Sequence, residues 1–527
     1  MTVVNNPGYE NRKSNALVLQ APGDIRQRMK TLSLLCAVLV SLASVITAHA
    51  ADARKPNVIF ILADDLGYGE LGCYGQKKIR TPSLDRLAAG GMRFTQHYSG
   101  NAVCAPSRCV LMTGKHPGHA YIRDNREVQP EGQTPIPANT ITLAKLLKQQ
   151  GFATAAMGKW GLGPVGSEGD PLKQGFDRFY GYNCQRHAHN YYPTYLYDND
   201  KRVELKNPRI TIGQKLPPNA DPNAPASYEA FKGKDYAPDL TAEQALRFIR
   251  ENKDRPFFLY YATTVPHLAL QVPDDALAEY AGQWPDPPYV GGKGYLPNRT
   301  PRATYAAMIT RMDAVVGRMA ALVDELGLEN DTIFIFTSDN GPVLDGPGGS
   351  DAKFFESAGP FRGMKGSLYE GGIREPCIVR WKGHVQAGGT SERVTGFEDW
   401  LPTILDLCGE LPTRPPPDVD GISFAPALRG QAQAPRPFLY REFPAYGGQQ
   451  AVRLGDWKGI RQKMLPAKGG QPHMQIELYN LKDDISEKKD VAAEYPDVAS
   501  SIERLMREQH TPSPLFKFPA LDEPPAK

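Results

Sequence analysis

Three short, unbroken apolar runs constrain what this chain can fold into: Asn57-Val58-Ile59-Phe60-Ile61-Leu62, Pro256-Phe257-Phe258-Leu259-Tyr260-Tyr261 and Thr332-Ile333-Phe334-Ile335-Phe336. None shows the polar alternation of a strand with one wet face, so each reads as a strand covered on both faces, the condition of a parallel sheet. Between them lie helical patterns, including Thr140 to Gln150, Thr241 to Asn252 and Arg302 to Leu326. Strands alternating with helices argue a doubly wound α/β sheet. A chain of 527 residues with 41% hydrophobic content can bury the core that such a sheet needs, and by length alone would hold two or three domains.

Each run leads into chemistry. Asp64-Asp65 end the first, His267 follows the second in Val265-Pro266-His267, and Asp339-Asn340 end the third. Open α/β sheets bind ligands beyond the carboxyl ends of their strands, so these groups converge on one crevice despite their separation along the chain. Asp, Asn and His also open ordinary polar loops, which would account for any single run. That reading does not cover all three together with Cys104-Ala105-Pro106-Ser107-Arg108, followed by Leu111-Met112-Thr113-Gly114.

The cysteine ahead of Pro-Ser-Arg is a C-x-P-S-R signature, and on it the chain resembles the type I sulfatases. Five residues alone are a weak match; the family's other groups, however, follow in its order over residues 55 to 495. The resemblance implies that a maturation enzyme oxidises Cys104 to formylglycine, whose hydrated form attacks the sulfur of a sulfate ester. It implies an alkaline-phosphatase-like α/β fold, a mixed and mostly parallel sheet flanked by helices, with a smaller C-terminal antiparallel-sheet subdomain. It also implies one Ca²⁺ per chain, with Asp64, Asp65, Asp339, Asn340 and the oxidised residue 104 as ligands.

The residue types agree with that chemistry. A sulfate monoester is a permanent anion, so its site must neutralise the sulfuryl oxygens, supply a nucleophile and protonate the leaving alkoxide. Three carboxylates and an amide oxygen are hard donors that suit Ca²⁺ first and Mg²⁺ second, and disfavour zinc. An N-cap role for Asp64 or Asp65 fits poorly, because Gly67, Tyr68 and Gly69 follow and no helical pattern does. Cys104 is expected at the amino end of a helix running through Arg108 to Thr113, where the dipole favours an anionic oxygen by about 0.3–2 kcal/mol. Arg108, one turn on, returns to the same face. Lys159, in Gly158-Lys159-Trp160, and Lys365, in Arg362-Gly363-Met364-Lys365-Gly366, match the two family lysines that grip sulfate. Outside that context each would be an ordinary surface charge. His267 matches the family histidine that faces the leaving-group oxygen, and an ordinary pKa of about 6.5 lets it donate a proton near neutrality.

The chain departs from the family at one position. Many sulfatases carry a histidine two residues after the Lys159 equivalent, as the base that expels sulfate, and here that position is Gly161. His119, in Gly118-His119-Ala120-Tyr121-Ile122-Arg123, lies shortly after the nucleophile helix and is expected to fold back over Cys104 in its place, a turn histidine being the alternative. Gln185-Arg186-His187-Ala188-His189-Asn190-Tyr191-Tyr192 reads as the wall of a sugar subsite, with His187 and His189 as hydrogen-bonding groups, or as a surface loop with incidental aromatics. Arg123 is a further candidate for an anionic substrate group.

The rest of the chain sets limits. Residues 29 to 53 read as an export signal, with Lys30, an apolar run from Leu32 to Ile46 and Ala48-His49-Ala50 as cleavage site. The run is shorter than the roughly 20 residues of a membrane span, so cleavage and a periplasmic or secreted product are expected, with no stable membrane insertion. Met29 reads as the true start and residues 1 to 28 are expected to carry no fold, so that 1–53 is an N-terminal extension and signal peptide. Residues 54–434 form the expected catalytic domain. From 435 to 527 short strand-like pieces, such as Ala451 to Leu454 and Ile476 to Tyr479, precede a closing helix near Val498 to Glu508. The Pro-rich stretch from Asn207 to Ala237 is either a surface insertion near the substrate entrance or a linker.

Seven irregularly spaced cysteines make no disulfide framework, and at most a bridge or two is expected. Asn298-Arg299-Thr300 and Asn330-Asp331-Thr332 fit glycosylation triplets. A balance of 61 basic against 58 acidic residues excludes the clustered basic excess of a nucleic-acid binder. The expected substrate is a carbohydrate sulfate, with aryl sulfates as surrogates. A phosphomonoester or phosphonate hydrolase of the same superfamily is the rival reading; a non-catalytic sugar-binding relative is disfavoured because Cys104, Arg108 and the carboxylates are all present.

Overall fold

The computed structural model describes residues 54–522 except 293, 410–417 and 466–469. The expected export signal lies outside the described residues. An eleven-stranded sheet is built from β1 (Asn57–Asp64), β2 (Met92–Tyr98), β3 (Ala153–Lys159), β4 (Arg178–Tyr182), β5 (Tyr195–Asp198), β6 (Lys201–Glu204), β7 (Phe257–Pro266), β8 (Thr332–Ser338), β9 (Arg374–Arg380), β10 (Gly389–Ser391) and β11 (Thr395–Gly396). The order is β10-β2-β9-β8-β1-β7-β3-β4-β5-β6, with β11 also on β2.

Its middle, β8-β1-β7-β3-β4, is parallel throughout, and antiparallel pairs occur only toward the edges, where β9 meets β8 and β2 and where β5 meets β4 and β6. The three apolar runs are β1, β7 and β8, and every residue of those strands is buried. Helices cover both faces, so the strand side chains divide between two apolar clusters: Ile59 and Ile61 point into one, Val58, Phe60 and Leu62 into the other.

Helices start where Pro or a cap allows. Pro301 opens the helix Pro301–Glu325, and Pro238 lets Ala237–Glu251 begin a turn before the apolar spacing that the sequence reveals. Thr142 caps Leu143–Gln149 by accepting from the Lys145 amide.

A second sheet, β12 (Leu439–Phe443), β13 (Gln449–Leu454), β14 (Trp457–Arg461) and β15 (Glu477–Asn480), is an antiparallel meander with the helix Pro496–Glu508 packed on it through Ile502 and Met506. The stretch from residue 207 is not a bare linker: Asn207 Nδ2 donates to the Pro193 and Asp235 carbonyls, and Tyr228 and Phe231 are buried. Cys73, Cys104, Cys109, Cys184 and Cys377 are unbridged thiols, so none of the bridges that the sequence allows forms among them. No helix among them is long and apolar enough to cross a membrane.

Candidate active site

Parallel pairing puts the polar residues side by side. In the ladder Ala63 pairs with Ser338 and Asp64 with Pro266, so Asp64, His267 and Asp339 leave neighbouring strands at the same edge, beside Lys159 at the end of β3. Val103 is extended (φ −144°, ψ 163°), and Cys104 is the first residue of the helix Cys104–Thr113, whose side chains are all buried. Lys365 comes in on a loop tied to the nucleophile segment, where the Gly366 amide donates to the Ala102 carbonyl at 2.8 Å.

Cys104 Sγ lies 3.3 Å from Asp64 Oδ1, 3.4 Å from Lys159 Nζ and 3.9 Å from Lys365 Nζ. Lys159 Nζ donates to Asp64 Oδ2 at 2.6 Å, and Lys365 Nζ to Asp65 Oδ2 at 2.7 Å. Arg108 grips Asp339 Oδ2 through Nε at 3.0 Å and Nη2 at 2.7 Å, and its Nη1 donates to the Lys159 carbonyl. His267 donates through Nδ1 to the Leu268 carbonyl at 2.5 Å, which turns Nε2 to within 3.5 Å of Asp65 Oδ2. Positive and negative groups therefore alternate around the sulfur atom.

The field of this cluster sets the protonation states. Burial opposes the Asp64 charge, yet Lys159, with Arg108 and Lys365, holds its carboxyl far below the usual carboxylate range. Burial and then Asp64 push Asp339 up to about 7. Burial and Asp64 also push the Cys104 thiol far up, so an unmodified thiol here stays protonated and inert. Burial, Lys365 and Lys159 hold His267 neutral.

The oxygen donors fit a hard divalent cation. Asn340 Nδ2 donates to Asp65 Oδ1 at 2.7 Å and to the Gly341 carbonyl at 2.9 Å, which leaves Asn340 Oδ1 buried with no hydrogen-bond partner among the described residues. An unpaired buried acceptor costs about 1–3 kcal/mol, a cost that a cation ligand bond removes. Asp65 is held at φ 66°, a strained setting that persists only where the surroundings impose it. The donor set of Asp64, Asp65, Asp339 and Asn340 is oxygen throughout, as a hard cation requires.

Three expected site residues are not brought to this cluster. The helix of Cys104 ends on Gly114 in the left-handed region (φ 68°), and the chain turns away, so His119 does not fold back over Cys104. Its Nδ1 is held by Asp420 at 2.9 Å, in a separate group with His116. Arg123 is not available to a substrate: it is buried and donates to Glu442, to the Ala120, Gly118 and Thr511 carbonyls and to the Thr511 hydroxyl. His187 packs against Tyr195 and Tyr182, with Nδ1 3.8 Å from Glu131, on the far side of its loop. His189 is brought in, stacked on His267 at 4.9 Å between ring centres and 5.5 Å from Tyr295.

Sequence reasoning missed Tyr191, whose hydroxyl donates to the His267 carbonyl at 2.7 Å, and Gln449, which clasps the Lys365 loop from β13. Neither sits in a motif. The aromatic run around Tyr191 was the only signal for the first.

Comparison with known proteins agrees with this geometry. The sulfatase family model matches residues 56–410, and a second, N-sulphoglucosamine sulphohydrolase C-terminal, matches 364–511. Arylsulfatase A of Homo sapiens is 36% identical over 435 residues, covering 79% of this chain and 77% of that protein. The N-acetylgalactosamine-6-O-sulfatase of Bacteroides thetaiotaomicron is 30% identical over 518 residues, covering 88% and 94%. Among solved structures, Ps i-CgsB in complex with k-i-k-neocarrahexaose superposes with a TM-score of 0.70 at 27% identity, over 86% of this chain and 92% of that one. With every member of the buried cluster inside the first matched segment, the chain belongs to the type I sulfatase family and is a sulfuric ester hydrolase.

Proposed function

We propose that the protein is an exported carbohydrate sulfatase, with Cys104 matured to formylglycine and Ca²⁺ held by Asp64, Asp65, Asp339 and Asn340. The observation that carries the reading is the convergence of Lys159 and Lys365 on Cys104 Sγ, at 3.4 and 3.9 Å, beside a donor set with an unpaired Asn340 oxygen. A maturation enzyme supplies the oxidation, and the hydrated aldehyde supplies the hydroxyl that attacks sulfur. Bound Ca²⁺ supplies Lewis-acid polarisation of the sulfate.

The chain's own residues do the rest. Lys159 and Lys365 meet the sulfuryl oxygens as their negative charge concentrates, while Arg108 keeps Asp339 and the Lys159 carbonyl in place. His267, carrying a second proton at Nε2 once the substrate is bound, gives that proton to the leaving alkoxide and returns to the neutral imidazole whose Nδ1–H stays on the Leu268 carbonyl. Burial and the lysines favour the neutral imidazole, and the arriving anion offsets the lysines and so favours the protonated form that the step needs. A sugar is the favoured alcohol because His189 and Tyr295 continue the aromatic wall outward from His267. The names of the relatives, an N-acetylgalactosamine-6-O-sulfatase and a structure holding k-i-k-neocarrahexaose, support that class. The division at residues 434 and 435 and the signal over residues 29 to 53 belong to the same proposal, as does a periplasmic or secreted location.

Turnover of nitrophenyl sulfate against nitrophenyl phosphate tests the reaction, the mass of the Cys104 peptide tests the nucleophile, and sulfate release from defined sulfated sugars tests the substrate. The reading requires faster sulfate turnover and loss of the thiol mass in favour of an aldehyde. Preferred phosphate turnover, or an intact thiol in active enzyme, overturns it.

A further inference from the structure

The loop after β4 fills a place that the strand end at Lys159 leaves open. Gly161 adopts φ +83°, and a Cβ built there would overlap the Gln185 amide, 2.8 Å from Cδ and 2.9 Å from Oε1. The left-handed backbone disfavours a side chain at 161, and the end of the Gln185 side chain takes up the volume that one would need. Pairing of Lys159 with Tyr182, together with the Trp160 amide donating to the Tyr182 carbonyl at 3.1 Å, locks the start of this loop against Lys159. At the loop's other end His189 stacks on His267. Gln185 thus lies against Gly161, on a loop that starts beside the Lys159 segment and ends beside His267.

Gln185 is 5% exposed, and neither Nε2 nor Oε1, both buried, has a hydrogen-bond partner among the described residues. An amide buried with both atoms unpaired is disfavoured unless a ligand or water completes it. Leu or Met would fill the same space without that cost. The geometry points to Gln185 as a substrate-binding residue: Nε2 donates to a sulfuryl oxygen and Oε1 accepts from a hydroxyl of the leaving alcohol. An amide neither gives nor takes a proton near neutrality, so its contribution is to binding and orientation, most strongly where the sulfuryl oxygens gain charge.

This inference rests on the sulfate-ester reading. The test is Gln185→Leu, with Gln185→Met as a second apolar variant, measured for turnover of nitrophenyl sulfate, for binding of inorganic sulfate by calorimetry and for Tm. The expected result is kcat/KM about 10- to 100-fold lower, the span of one lost hydrogen bond to a charged group. Sulfate binding should weaken in step, with Tm unchanged or higher. Unchanged kcat/KM and sulfate affinity in both variants, as for an amide paired with water alone, overturn the inference; so does a fall in Tm that accounts for the lost activity. Wild-type protein that turns over phosphate but no sulfate ester counts against the sulfate-ester reading, and a variant that still binds sulfate as tightly as wild type counts against this one.

Discussion

Asn340 Oδ1 is a single atom on which the metal reading can be judged, because burial without a partner is tolerable only if something ligates it. Chelation of the native enzyme is expected to abolish turnover, and added Ca²⁺ to restore it. Asn340→Leu, which keeps the volume and removes the oxygen, should weaken Ca²⁺ binding measured by calorimetry by about 10-fold or more; equal affinity in the variant would sink the ligand set. Two of the three residues that the fold keeps away from the cluster divide in the opposite sense. His119 pairs with Asp420 at partly exposed positions, where such contacts contribute about 0–1 kcal/mol, so His119→Ala should turn over normally and unfold within a few degrees of wild type. Arg123→Ala takes the arginine from the buried Glu442 carboxylate and leaves it His510 and the Tyr440 hydroxyl, so the loss should be of the order of 1–3 kcal/mol in a denaturant titration, with kcat of the folded fraction intact. Cys104 was legible because its neighbours form a motif. His119 was misread because nearness along the chain says nothing about direction after a left-handed cap such as Gly114.

At the scale of elements, the parallel strands were legible because burial on both faces leaves them unbroken runs of apolar residues, and their polar terminators then had one edge to share. The loop bearing Lys365 shows what such patterns omit. Gln449 of β13, 2% exposed, accepts from the Leu368 amide at 2.9 Å and donates to the Gly366 carbonyl at 2.7 Å, so one side chain of the small sheet holds both backbone groups that flank Ser367. No spacing rule links position 449 to position 365. Gln449→Ala is expected to leave Lys365 present but loosely placed, lowering kcat/KM on nitrophenyl sulfate by about 10- to 100-fold, the scale of a misplaced binding group. Hydrogen exchange at the Leu368 amide should quicken at the same time. Gln449→Glu, which still accepts from Leu368 but cannot donate to Gly366, should fall between Gln449→Ala and wild type. Full activity in the alanine variant would remove the small sheet from the positioning of that lysine.

For the molecule as a whole, the question is what joins the two sheets. One answer is apolar: Tyr98, Ala102 and Val103 pack with Leu439, Phe443, Ala451 and Ile460. The other is a pair of buried charge networks. Glu370, ahead of β9, is held by Lys458 of β14 at 2.9 Å, and Glu398 accepts from Arg441 of β12 at 3.0 Å and from Arg436 at 2.8 Å. Burial pushes the Glu398 carboxyl up, and Arg441 and Arg436 overcome it, taking it from an ordinary 4.5 down to about 2; Glu370 is likewise held at about 2 against its burial, chiefly by Lys458 and Arg374. A folded pKa below the unfolded one means that the carboxylate favours the folded state fully above the unfolded value of about 4.3. That contribution is lost as pH falls through about 2. Wild-type stability is therefore expected to hold through neutrality and to decline below the ordinary carboxylate range. Glu398→Gln leaves two buried arginines short of their counter-charge and should lower stability at neutral pH by about 3–5 kcal/mol. Its denaturant midpoint should then vary less than that of wild type between pH 4.5 and 2, because the titrating group is gone. Two curves that run parallel through that interval would show that the Glu398 network adds nothing to the join between the sheets.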